Sequence, residues 1–138
     1  MKYKFILHVF LLFNILLCAE DIKVTFWVST YKLDDSSSVY ITGNDEKIGE
    51  WDPALIKLNK EQGNNWKIEL FFPKGTKLEY KFTLGDWNKE ALNDKGETPD
   101  NSHLTVINDT VIAVTIKHWR STPPRKTTFN GVECSANV

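Results

Sequence analysis

Two tryptophans, Trp51 and Trp87, stand in stretches too rich in Gly, Asp, Asn and Pro for a regular element: GNDEKIGEWDP (43–53) and TLGDWNKEALNDKGETPDN (83–101). An indole face is flat, polarizable and weakly hydrated, so the C–H face of a sugar ring packs on it, while neighbouring Asn, Lys and Asp hydrogen-bond the hydroxyls. The alternative use of such residues is to plug the ends of a fold, and residue type alone leaves both open. Catalysis has less to work with. His103 and His118 fall in or beside predicted strands, and the chain has no Gly-x-Ser-x-Gly turn, Cys-x-x-Cys pair or His-Glu-x-x-His helix. Glu90 and Glu97 share the second stretch, but their separation along an irregular segment sets no distance for an acid/base pair. The acids of 94–100 do not fall at EF-hand positions. The expectation is a binding protein with no catalytic residue, metal or cofactor.

The elements that must position these residues read as strands. Lys23–Tyr31 alternates, with Val24, Phe26 and Val28 on one face and Trp27 on the other, and Val39–Thr42 is a second short strand ended by Gly43-Asn44. Ala54–Leu58 is a third. Asn65–Phe72 sets Trp66, Ile68 and Leu70 on one face, which favours the core for Trp66. Pro73-Lys74-Gly75 then leads into Lys77–Leu84, so 66–84 reads as a hairpin. His103–Ile107 and Val111–Trp119 read as a last hairpin around Asn108-Asp109, and apolar residues on both faces of its second strand predict cover on both sides. Asn108-Asp109-Thr110 is also a glycosylation sequon, meaningful in a host that glycosylates secreted proteins. An all-β fold follows: an antiparallel, immunoglobulin-like β-sandwich of about seven strands. The stretch 83–101 is far longer than a hairpin loop of about two to five residues, and loops of that kind are functional or disordered.

Met1–Ala19 carries Lys2 and Lys4, an apolar run from Phe5 to Leu17 and a small-residue ending, the pattern of a secretory signal peptide and too short to span a bilayer. The expected location is secreted, periplasmic or cell-surface, with no membrane insertion after cleavage. Losing Lys2 and Lys4 takes the net charge from -1 to -3, which gives no basis for nucleic-acid binding. The domain is expected over 20–120, with 121–138, rich in Thr, Pro and Ser, as linker or tail. Cys18 leaves with the signal and Cys134 is left alone in the tail, so no disulfide framework is expected.

VYITGNDEKIGEWDPALIKL (39–58) followed by NNWKIELFFPKGTKLEYKF (64–82) resembles the starch-binding domains, the family 20 carbohydrate-binding modules: a hydrophobic strand, Gly-Asn, Leu-Gly-x-Trp, a strand-opening Trp, Pro-x-Gly and Glu-Tyr-Lys-Phe. The resemblance runs from about Val24 to Trp119 and implies a compact antiparallel sandwich that binds an α-glucan polysaccharide such as starch or glycogen without acting on it. It implies a sugar site at Trp51, Lys81, Trp87 and Asn101. The family's Trp-Glu and Asn-Arg pairs stand here as Trp87-Asn88 and Asn101-Ser102. Tyr80–Trp87 is more similar to a branch found in front of secreted bacterial esterases, and 127–138 to the segment connecting such modules to their hydrolase. An accessory module of a hydrolase or esterase whose catalytic domain lies beyond this chain is therefore one alternative. A sandwich serving protein–protein contact through the same loops is the other, since tryptophan is enriched in binding hot spots.

Overall fold

The computed structural model describes residues 20–31, 33–121, 126–129 and 132–135. The signal peptide expected over 1–19 lies outside the described residues. Alternation on the first strand, β1 (Asp21–Thr30), buries Val24, Phe26 and Val28 completely. The same period of two buries Trp66 and Phe72 on β5 (Asn65–Pro73) and Leu78, Tyr80 and Phe82 on β6 (Lys77–Thr83). Strands with one apolar face must cover it, and two sheets stacked face to face do so.

The remaining strands are β2 (Tyr40–Gly43), β3 (Ile56–Lys57), β4 (Asn59–Lys60), β7 (Ala91–Leu92), β8 (Ser102–Thr105), β9 (Thr110–Ile116), β10 (His118–Trp119), β11 (Lys126–Phe129) and β12 (Val132–Ser135). One four-stranded sheet runs β4-β5-β1-β9 and the other β3-β2-β6-β8. Two short pairs, β7 with β10 and β11 with β12, form two-stranded sheets of their own. The second of these lies inside the stretch read as linker or tail. Between the sheets Phe26, Tyr80 and Phe82 meet edge to face, with ring centroids 5.1–6.3 Å apart. Such pairs add about 0.5–1.5 kcal/mol each beyond the area they bury.

Three expectations are corrected. First, 66–84 is not a hairpin, because β5 pairs with β1 and β4 whereas β6 pairs with β2 and β8. The Pro73–Thr76 turn is an arch between sheets: Gly75 N–H donates to Val106 O, and Val106 N–H to Thr76 O. Second, β8 and β9 likewise belong to different sheets, and β9 pairs with β1 in parallel, from Val24↔Thr110 to Thr30↔Ile116. Adjacent strands that face each other across a core carry the same alternation as strands that share a sheet, so pattern cannot tell an arch from a hairpin. Third, β9 is covered on one face only, since Val111 is 66% exposed. Trp66 is in the core as expected, with the Lys60 ammonium 5.2 Å from its ring centroid.

Gly43, at the end of β2, sits where a Cβ would lie 2.1 Å from the Glu79 carbonyl oxygen. This contact lets Asn44 continue the ladder with its side chain. Its amide donates to Lys77 O (3.0 Å) and its Oδ1 accepts from Glu79 N–H (2.9 Å), which sets where the chain leaves the sheet.

Candidate carbohydrate-binding site

With Tyr80 and Phe82 turned inward, β6 presents Glu79, Lys81 and Thr83 on its outer face. Each holds a different piece of the surrounding loops. Thr83 is fully buried, and its hydroxyl donates to Pro53 O while accepting from Gly85 N–H at 3.1 Å. Pro53 lies two residues after Trp51 and Gly85 two before Trp87. One hydroxyl thus joins the two tryptophan-bearing segments.

The segment carrying Trp51 begins with a 3₁₀ turn, Glu46–Ile48, capped by Asp45, whose carboxylate accepts from Lys47 N–H at 2.9 Å. Ile48 is fully buried and pins the turn to the core. Three consecutive residues then take left-handed backbone: Gly49 at φ 86°, Glu50 at φ 44° and Trp51 at φ 67°. The surrounding bonds over-determine this course, with Trp51 N–H on Gly43 O (2.8 Å), Glu50 N–H on Asp45 O (3.2 Å) and Asp52 N–H on Gly49 O (2.7 Å). A bulky residue in that region costs about 1–2 kcal/mol, and residues held there cluster at functional sites. The Trp51 side chain is half-buried.

Trp87 opens a second 3₁₀ turn, Trp87–Lys89, capped by the Asp86 carboxylate on Asn88 N–H at 2.7 Å. The long stretch 83–101 is tied back by hydrogen bonds at several points. Leu84 N–H bonds Lys89 O, β7 pairs with β10, and Asn93 Oδ1 accepts from both Lys95 N–H and Glu97 N–H at 2.9 Å to close the turn at its tip. Trp87 is 36% exposed.

Lys81 and Asn101 are tied down on this same face of β6. The Lys81 ammonium donates to Pro99 O at 2.9 Å and lies 3.5 Å from Glu90 Oε2. Of its three N–H groups these contacts use two. Asn101 Nδ2 donates to Glu79 Oε2 at 3.1 Å, leaving the amide oxygen and one N–H for a ligand. A pocket of about 220 Å³ opens beside Lys81, lined in part by Leu92, Asn93, Pro99 and Asp100.

Sequence reasoning missed Arg120 and weighed Glu90 only for acid/base chemistry, yet these two hold the arrangement. Glu90 is buried and ion-paired with Arg120, which also donates to Thr98 Oγ1 and to Trp87 O at 3.4 Å. Arg120 N–H in turn bonds Glu90 O at 2.8 Å. Glu97 is engaged elsewhere, accepting from Asn93 Nδ2 at 3.2 Å. Glu90 and Glu97 therefore have separate partners, with Glu90 serving the loop's ion pairs. The polar alternation Glu79, Lys81, Thr83 along β6 was the available signal for this face.

The profile of the family described as Starch binding domain matches residues 21–115. An amylopullulanase of Thermoanaerobacter thermohydrosulfuricus is 33% identical over 106 residues, a match that spans 74% of this chain and 7% of that protein. An α-amylase of Streptomyces violaceus is 35% identical over 80 residues, covering 53% of this chain and 14% of its own length. Among solved structures, the family 20 module of a maltotetraose-forming amylase from Pseudomonas saccharophila superposes with a TM-score of 0.51 at 18% identity, over 69% of this chain and all of that one. This last likeness is one of fold. The match over residues 21–115, on a sandwich of two four-stranded sheets, means that the chain belongs to the starch-binding domain family and carries a non-catalytic carbohydrate-binding module.

Proposed function

We propose that Trp51 and Trp87 are the stacking platforms of an α-glucan site, with Lys81 and Asn101 as its polar anchors. The observation that carries this reading is the backbone of Trp51. A bulky aromatic is held at φ 67° and left half-buried, where core packing gives no reason to tolerate the strain. The Thr83 hydroxyl that joins its loop to that of Trp87 supports a two-walled site. Affinity electrophoresis through gels containing amylopectin, glycogen, xylan or no polysaccharide tests it. Retardation by the α-glucans alone is expected, and Trp51→Ala and Trp87→Ala should each weaken it by about 1–3 kcal/mol, by analogy with other aromatic stacking. Retention unchanged in both variants would remove the site.

The curated relatives it matches are far longer proteins, of which this chain spans 7% and 14%. Together with the signal-like start, this supports a secreted module that anchors an amylolytic or other hydrolase activity to its polymer.

A further inference from the structure

The sheet β4-β5-β1-β9 has its own outer face, turned away from the site on β6. Along β1 this face carries Lys23, Thr25 and Trp27, because Val24, Phe26 and Val28 point into the core. A shallow groove of about 430 Å³ runs over it, within the range of ligand clefts. The strand register fixes its plan. Trp27 stands at one end between Lys67 of β5 and the small Ala113 of β9, which leaves room beside the indole. Thr25, only 6% exposed, lies between Glu69 and Val111. Lys23 closes the other end, and its register partner Phe71, 50% exposed, stands just outside the groove's lining on the same sheet face. Along the strand direction Trp27 and Phe71, on neighbouring strands, are offset by four residues, about 13 Å.

Charge in the groove is balanced. Lys67 and Glu69 form an ion pair at 2.7 Å, and the Asp109 carboxylate accepts from Lys23 N–H at 2.9 Å. The lysines at 23 and 67 are thus matched by the acids at 69 and 109, so the groove offers hydrogen-bonding groups and aromatic surface without a net field. That suits a neutral polyhydroxylated chain and disfavours an anionic or cationic ligand. We infer that this face is a further glycan-binding groove, taking a short run of α-glucan lengthwise along β1, with Trp27 and Phe71 as end platforms and the Lys67–Glu69 pair hydrogen-bonding the hydroxyls. The choice of glucan rests on the reading proposed for the loop site.

Titration of the ¹⁵N-labelled protein with maltoheptaose tests both sites separately, in the parent chain and in a Trp51→Ala/Trp87→Ala double variant. Saturable shifts of the Thr25, Glu69 and Val111 amides and the Trp27 indole are expected in both. These should weaken about tenfold in Trp27→Val, as for loss of a stacking platform. The doubly substituted Lys67→Ala/Glu69→Ala, confined to surface side chains, should weaken them too and guards against a folding defect in the first. Shifts confined to the neighbourhood of Trp51 and Trp87, and lost in the double variant, would overturn the groove and leave the loop site standing. Groove shifts without loop shifts would support the groove and sink the loop site. No shift anywhere would sink both.

Discussion

At the scale of single residues, Trp51 is where chemistry and backbone pull in opposite directions. Its φ of 67° suits glycine, yet the position holds the bulkiest side chain available. Replacing it with Ala or with Gly removes the same indole, so the difference between the two variants isolates the backbone. Trp51→Gly should be the more stable by about 1 kcal/mol in chemical denaturation, while both lose glucan retention alike. Equal stability would mean that the backbone relaxes in the alanine variant and stores no strain. The sequence made the tryptophan legible as a loop aromatic beside Gly49, but not its left-handed course. That course depends on Gly43 O and Asp45 O, which accept the Trp51 and Glu50 N–H groups, and on Gly49 O, which accepts that of Asp52, and bonds of this kind leave no periodic mark in the sequence.

At the scale of elements, the site is a property of one strand face. β6 sends Glu79 to Asn101, Lys81 to Pro99 and Glu90, and Thr83 to both tryptophan-bearing segments. Glu90 and Arg120 close the far side of this frame, and a buried carboxylate with two cationic partners holds more firmly than a surface ion pair. Glu90→Gln keeps the shape and removes the charge. It should cost about 2 kcal/mol of stability, in the range for hydrogen bonds to charged groups. Glucan affinity should fall with it, because Arg120 also holds the Trp87 carbonyl. Full affinity in a folded Gln variant would show that the loop keeps its shape without the charge. Strand positions and burial were legible here, since Val24, Phe26, Val28 and Trp66 fall where alternation places them. Strand pairing was not, because the arch at Pro73–Thr76 and the crossing from β8 to β9 carry the turn residues and apolar faces of hairpins.

At the scale of the whole molecule, the two sheets meet on the aromatic cluster of Phe26, Tyr80 and Phe82, and the Tyr80 hydroxyl makes that contact sensitive to alkali. Burial raises the Tyr80 pKa above its ordinary value of about 10, with a hydrogen bond to Ser102 opposing the shift. The folded state therefore holds the phenolic proton more tightly than the unfolded chain. Its contribution is complete below about pH 10 and is lost as pH rises through the raised folded value. Urea midpoints followed from neutral to alkaline pH should fall above about pH 10, and Tyr80→Phe should flatten that fall. An identical decline in both proteins would assign it to other groups. The parallel pairing of β1 with β9 bears on a different property, the order of assembly. Within the domain β1, an inner strand of its sheet, is made before any other strand, yet its partner, from Val24↔Thr110 onward, emerges 86 residues later. Until then one edge of β1 has no neighbour. Closure must wait for nearly the whole domain, which favours slow folding and leaves a nascent chain whose exposed strand edge is open to mispairing until its last long strand arrives.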